Sequence, residues 1–242
     1  MTQHALHLIV PAAGTGTRMQ ADKPKQYLSL LGKTILSQTL QALHHLPYAS
    51  LSLVINPDDE HLITSQAEWP DDYRIQLVAG GAERMHSVYN ALKVLNARPH
   101  DWVAVHDAAR PCLLIEDVIR LLSTLESQSG PGGLLGTPIS STLKIVQEGY
   151  VQQTQDRTHL WQALTPQIFQ YAVLLQAYET LFSQQIPVTD DASVMELAGY
   201  QPLIMAGDAR NIKITQPQDL LLAEQFLPAI QQANQAFYKE SA

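Results

Sequence analysis

Cysteine is almost absent. Cys112 stands alone in 242 residues, so no disulfide can form within the chain, and such a sequence suits a reducing compartment. A lone cysteine reads most simply as a small buried hydrophobe. Basic residues are also scarce: 15 Lys and Arg against 23 Asp and Glu leave a formal charge of −8. That balance excludes a general basic face for a nucleic-acid backbone, so any basic site must be local. Long apolar runs are missing too. Nothing approaches the length a membrane-spanning helix needs, and the opening "MTQHALHLIV" lacks the basic stretch of a secretory signal. We therefore expect a cytoplasmic protein with neither nucleic acid nor membrane as partner.

Several catalytic signatures are lacking as well. The nine histidines are scattered without zinc spacing, Cys112 has no motif around it, and no serine sits in a nucleophile elbow. What the chain does have is alternation. Apolar stretches "LHLIV", "LSLVIN", "RIQLVAG", "WVAVHD" and "GLLGTPI" read as strands. Between them lie helical stripes, such as Met85, Val88, Tyr89, Leu92 and Leu95, or Ile115, Val118, Ile119, Leu122 and Leu125. Strand and helix in turn predict βαβ units around a mostly parallel sheet. Further on, "STLKIVQEGYVQQTQ" predicts a hairpin too polar to be interior, and an isolated ribbon is marginal in water, so a partner subunit is its economical cover. "TDDASVMELAGY" predicts a short capped helix ended by Gly199, "QPLIMAG" and "NIKIT" predict strands, and a last helix is expected after Pro217.

Three stretches carry candidate chemistry. In "LIVPAAGTGTRMQADKPKQYL", Gly14 and Gly16 follow the first strand, where open α/β sheets bind ligands. Met19 stands where a dinucleotide fingerprint needs its third glycine, and the Walker ending is absent. There remains a turn whose amides can approach phosphate oxygens, with Arg18, Lys23 and Lys25 close by in an otherwise acidic chain. A polyphosphate is the natural ligand, and the plain alternative is a tight strand-to-helix connection. In "VAVHDAARP", Asp107 at a strand end can hold Mg²⁺ on phosphates, or can cap the next turn and pair with Arg110. In "GGAERMHSV", the amides of Gly80 and Gly81 can meet a base or ribose, or simply turn the chain. Asp190 and Asp191 are adjacent, and neighbours rarely face one ion, so Thr189 or Asp190 as a helix cap is the better reading.

Together these segments, with "TPISSTLK", "DRTHLWQALTPQ", "TDDAS" and "NIKIT", occur in the order found in 2-C-methyl-D-erythritol 4-phosphate cytidylyltransferases, and the resemblance spans essentially the whole chain. It implies one Rossmann-like nucleotidyltransferase domain over 1–242, a mostly parallel twisted sheet flanked by helices, and a protruding β-hairpin arm at 137–158 used in a homodimer. It implies CTP and the methylerythritol phosphate as substrates and Mg²⁺ as cofactor. Carried over by position, Ala12, Ala13, Gly14, Gly16, Gly81, Ser87, Asp107 and Ala108 would meet CTP, Asp107 also the metal, with Arg18 and Lys25 on the phosphates. Thr142, Arg157, Thr189 and Lys213 would meet the second substrate, Thr142 and Arg157 from the partner's arm. Ala82 departs from the aspartate that relatives often carry near the cytosine. On residues alone, Lys213 reads as a solvated lysine and Arg157 as a partner for Asp156. A ribitol-5-phosphate cytidylyltransferase and a non-catalytic nucleotide-binding module are the alternatives.

Overall fold

Period-2 alternation divides the core between two faces of one sheet. In the first strand, Leu6, Leu8 and Val10 enter one apolar cluster while Ile9 enters another. Trp102 and Ala104 likewise oppose Val103 and Val105, and Leu51 and Leu53 oppose Val54. All are nearly inaccessible to solvent, as expected for strands covered on both sides.

The computed structural model describes residues 4–14, 19, 22–70, 73–128, 130–184, 186 and 188–241. In chain order its elements are β1 (Leu6–Pro11), β2 (Ser29–Leu30), β3 (Lys33–Thr34), α1 (Ile35–His44), β4 (Ser50–Ile55), α2 (Leu62–Gln66), β5 (Ile75–Ala79), α3 (Arg84–Val94) and β6 (Trp102–Val105). There follow α4 (Ile115–Ser127), β7 (Gly132–Pro138), β8 (Leu143–Gln147), β9 (Tyr150–Gln155), β10 (Trp161–Gln170), α5 (Tyr171–Gln184), α6 (Asp191–Leu197), β11 (Leu203–Ala206) and α7 (Pro217–Ser241).

The main sheet among the described residues runs β11-β7-β10-β6-β1-β4-β5. Every pair in it is parallel except those made by β10, which runs against both β6 and β7. The carboxyl ends of β1, β4, β5 and β6 therefore share one edge. From β1 the chain moves outward to β4 and β5, then returns to place β6 on the other side of β1. That reversal of strand order opens the crevice in which sheets of this kind hold ligands. Helices α1 and α4 cover one face, and α3, α5 and α6 the other.

β10 breaks its register between Ala163 and Gln167, around a cis Thr165–Pro166 peptide. Pro166 has no N–H to give a ladder, so a bulge is the natural way to seat it inside a sheet. β8 and β9 form a two-stranded sheet of their own. Its turn, Glu148-Gly149, has positive φ at both residues (51° and 84°), the I′ geometry that matches strand twist and that glycine adopts freely. Its side chains Ile145, Val146, Tyr150 and Val151 are exposed.

One expectation fails. "NIKIT" (211–215) is not a strand. Its alternation records two environments: Ile214 is buried against a cluster with α7, and Lys213 faces the crevice. Ile214 N–H donates to the Ala109 carbonyl at 2.9 Å, while Asn211 and Ile212 N–H bond locally to the Asp208 and Arg210 carbonyls, a set of turns and not a ladder.

Asp219 closes the start of α7, accepting from Thr215 N, Thr215 Oγ1 and Gln216 N at 2.8 Å each. Burial is the largest single influence and opposes its charge, but those bonds and the charge of Lys25 together outweigh it, so its carboxyl lies below the usual range. A depressed carboxylate contributes stability above its unfolded value and loses it as pH falls through the folded one. Asp219→Asn is expected to lower stability by about 1 kcal/mol at neutral pH. Denaturant titration should show the deficit shrinking below about pH 4.

Candidate active site

A cleft of about 260 Å³ opens beyond the carboxyl ends of β1 and β6. Its floor is the turn after β1. Gln26, in the 3₁₀ turn Lys25–Tyr27, is buried and donates through Nε2 to the carbonyls of Ala12 (2.7 Å) and Gly14 (3.1 Å). Both hydrogens of the amide are thereby used to hold the turn's carbonyls inward. Lys25 Nζ, on the same short turn, reaches the Ile214 carbonyl at 3.0 Å and so ties this wall to the segment carrying Lys213.

A second wall follows β5. A Cβ on Gly80 would lie 2.5 Å from Ala13 Cβ, so only glycine lets this loop approach the first turn. Ser87 Oγ accepts from Gly81 N–H and donates to the Glu83 carbonyl, at 3.2 Å each. The hydroxyl thus sets the shape of the Gly81 loop at the start of α3.

Asp107 forms the back of the cleft. Its Oδ2 meets Lys213 Nζ at 3.0 Å and Arg110 Nε at 3.2 Å, and its Oδ1 meets Arg84 Nε at 3.3 Å. Burial works against ionising this carboxyl, but Arg84, Lys213 and Arg110 outweigh burial and hold it well below the usual carboxylate range. Beneath it runs a buried polar chain. Asp107 N–H donates to Thr165 Oγ1 at 3.2 Å, and Thr165 Oγ1 lies 3.0 Å from His106 Nδ1. His106 Nε2 is 3.0 Å from the Arg110 carbonyl, which can only accept. The ring therefore carries its proton on Nε2 and takes the threonine proton on Nδ1. Burial lowers its pKa to about 4, so it stays neutral. This chain fixes Asp107 from behind through the bulge of β10.

Of the residues singled out in the sequence, Ala12, Ala13, Gly14, Lys25, Gly81, Ser87, Asp107, Ala108 and Lys213 line this one cleft. Gly16 and Arg18 lie outside the described residues. Thr142 and Arg157 are exposed at the base of the β8–β9 ribbon, away from the cleft of their own chain. Arg157 does not pair with Asp156. Its guanidinium donates to the Ser140 carbonyl, while Asp156 accepts from the N–H and hydroxyl of Thr158. Thr189 is exposed beside α6, and Asp190 is the cap, accepting from Ser193 N at 3.0 Å. Asp191 is fully buried and turned to Arg84 and Tyr178, so the adjacent pair does not share an ion. Among the described residues no group of three or more His, Cys, Asp or Glu could hold a metal. The carboxylates that line the cleft are those of Asp107 and Glu83. Sequence reasoning missed Gln26 and gave Arg84 no role. The bonds that define them reach, at their longest, across 14 and 107 positions of the chain, respectively. For Gln26 the available signal was its place between the basic turn and "YL".

A model of the 2-C-methyl-D-erythritol 4-phosphate cytidylyltransferase family matches residues 6–229. The chain belongs to this family. A cytidylyltransferase of that name from Mannheimia succiniciproducens is 46% identical over 231 residues, covering 94% of this chain and 99% of the relative. Another from Haemophilus ducreyi is 46% identical over 225 residues, covering 90% and 94%. The crystal structure of the Francisella tularensis 2-C-methyl-D-erythritol 4-phosphate cytidylyltransferase superposes with a TM-score of 0.79 at 35% identity, covering 92% of this chain and 99% of that one. The sheet and its helices therefore have the α/β nucleotidyltransferase fold of that family. No helix among the described residues is long and apolar enough to cross a membrane.

For a cytidylyltransferase, the Gln26 contacts carry a direct expectation. Gln26→Leu leaves the Ala12 and Gly14 carbonyls without their donor, at a cost of about 1–3 kcal/mol. Denaturant midpoints should fall accordingly, and the KM for nucleotide should rise more than kcat falls, because the floor of the cleft loosens.

Proposed function

We propose that this chain transfers the cytidylyl group of CTP to 2-C-methyl-D-erythritol 4-phosphate, releasing pyrophosphate and 4-diphosphocytidyl-2-C-methyl-D-erythritol, a step of non-mevalonate isoprenoid synthesis. One observation carries the reading. In a member of this family with a net charge of −8, Lys25 and Lys213 line a single cleft beside a glycine turn.

The acceptor's phosphate oxygen attacks the α-phosphorus in line. A new P–O bond forms there as the bond to the β-phosphate's bridging oxygen breaks, and pyrophosphate leaves with the electron pair. The protein needs no covalent nucleophile and no strong base, so positioning and charge carry catalysis. Lys25 and Arg18 take the charge that grows on the α-phosphoryl oxygens and the leaving group. Lys213 and Arg157 offset repulsion between the two anions and aim the attacking oxygen. The backbone of Ala12, Ala13, Gly14, Gly16, Gly81 and Ala108, with Ser87, holds the nucleotide, and Thr142 and Thr189 hold the acceptor.

A divalent cation fits this donor set. Asp107 is ionised but already serves three cations, so it can supply one further carboxylate contact while phosphate oxygens and waters supply the rest, as Mg²⁺ prefers. When bound, Mg²⁺ neutralises triphosphate charge.

We read the chain as one domain with the 137–158 arm, working as a homodimer in which each arm brings Thr142 and Arg157 to the other subunit. The exposed Val146, Tyr150 and Val151 on a ribbon without other sheet neighbours support this. The lone buried Cys112, pushed up to about 12 by burial, supports a cytoplasmic setting.

The test is pyrophosphate release with Mg²⁺ and each nucleoside triphosphate, offered methylerythritol phosphate or ribitol 5-phosphate. Release with CTP and methylerythritol phosphate alone is expected. Release with ribitol phosphate, or CTP binding without release, would overturn the reading.

A further inference from the structure

Arg84 occupies the first residue of α3, where the helix dipole opposes a positive charge, and the first turn holds no acidic residue to offset it. Its surroundings explain why it is tolerated. Nη2 donates to Asp191 Oδ2 at 2.8 Å and Nε to Asp107 Oδ1 at 3.3 Å, so the guanidinium bridges two carboxylates from distant elements. Burial works against its charge, and the two carboxylates outweigh burial, keeping it protonated.

Each carboxylate is itself anchored. Asp191 is inaccessible to solvent, and its Oδ1 accepts from the Tyr178 hydroxyl of α5 at 2.6 Å. The start of α6 is clamped to the β10 bulge by Gln167, which donates to Asp190 at 2.7 Å and accepts from Ala192 N at 2.7 Å. Asp107 in turn holds Lys213. Arg84 therefore joins two parts of the cleft, the Gly81–Ser87 loop on the nucleotide side and the Asp107–Lys213 pair, to the neighbouring 189–191 segment. With Nε and Nη2 committed to carboxylates, its guanidinium is oriented by the protein and not by a ligand.

We propose that Arg84 is a positioning residue that couples the two substrate half-sites, holding Lys213 and the 189–191 segment at a fixed place relative to the nucleotide loop. The proposal rests on the functional reading above. Small displacements between two reacting groups cost rate heavily even when each still binds. Lysine keeps the charge but lacks the planar fork that spans both carboxylates.

The experiment combines steady-state kinetics with calorimetric binding of CTP alone, on Arg84→Lys, Tyr178→Phe and the double variant. Arg84→Lys is expected to lower kcat about tenfold, as misplaced reacting groups do, and to raise the KM of the acceptor phosphate. The Kd for CTP alone should change less than about threefold, below the about fivefold at which typical coupling between sites begins. Tyr178→Phe should move the same constants less, and the double variant should be no worse than Arg84→Lys, since both act on one chain of contacts. Wild-type kinetics in Arg84→Lys would overturn the proposal. So would a loss of CTP affinity equal to the loss in kcat/KM, the mark of a phosphate ligand, or losses that track the folded fraction. If Arg84→Lys does not fold, unchanged acceptor KM and kcat in Tyr178→Phe overturn it instead. A wild-type protein that releases no pyrophosphate would refute the functional reading, a result distinct from an active enzyme with indifferent variants.

Discussion

Lys25→Ala should reduce kcat by at least about 100-fold while shifting thermal unfolding by only a few degrees from the unsubstituted protein. Groups that stabilise charge developing in the transition state are commonly worth about 3 kcal/mol or more. Lys25 sits on a short 3₁₀ turn whose buried members are Gln26 and Tyr27, so the fold depends on its neighbours more than on it. Tyr27 keeps its place through a 2.6 Å bond to Asp59, and Gln26 through the turn carbonyls. Truncating Lys25 removes its part-buried bond to the carbonyl of buried Ile214, at about 1 kcal/mol, or a few degrees of melting temperature for a chain of this size. Single-turnover pyrophosphate release at saturating substrates, with a melting curve of the same sample, separates the two effects. Turnover near that of the unsubstituted enzyme would remove Lys25 from the mechanism.

Asp107→Asn should damage both stability and catalysis. The carboxylate is nearly buried and faces three cations, of which Arg110 is itself buried. An amide of the same shape leaves Arg110 and Arg84 with like charges near one another and no anion between them. Breaking a buried pair in this way costs about 3–5 kcal/mol. Arg110 keeps its 2.8 Å bond to the Asn211 carbonyl, which places the expected loss at the lower end. A melting temperature lower by about 10 °C follows for a chain of this size. Among the molecules still folded, kcat should fall about 100-fold, because Lys213 loses the anchor that aims it. Calorimetry and activity normalised to folded protein check the two parts separately. A stable variant would show that the cations are satisfied elsewhere.

Much of this architecture was legible because burial leaves a periodic trace. β1, β4 and β6 alternate between two covered faces, and α4 repeats Ile115, Val118, Leu122 and Leu125 toward one cluster, so pattern and structure coincide. The same logic explains the misreading of "NIKIT". Alternation reports that successive side chains meet different surroundings, and a cleft wall does this without any ladder. The antiparallel course of β10 left no trace, since direction is set by where the chain must return and not by side-chain period. Pro166 also disguised the strand by forcing its bulge.

At the site, residues clustered within one segment were readable: the glycine turn with Lys25, and "HDAARP" with Asp107 and Arg110. Contacts across the chain were not. Asp107 reads as a ligand residue, with pairing to Arg110 the plain alternative, and the structure shows a carboxylate bonded to Arg110 that also faces the cleft beside Lys213. Lys213 resembled a solvated lysine because its partner lies 106 positions earlier by residue number. Arg84 and Asp191 stay silent for the same reason, each being ordinary in its own helix start.

A crystal soaked with CTP tests the central claim most directly. The account predicts the base against the Gly81–Ser87 loop, with the phosphates over the Gly14 turn and within reach of Lys25. A nucleotide lodged elsewhere, or one whose phosphates point away from that turn, would contradict it.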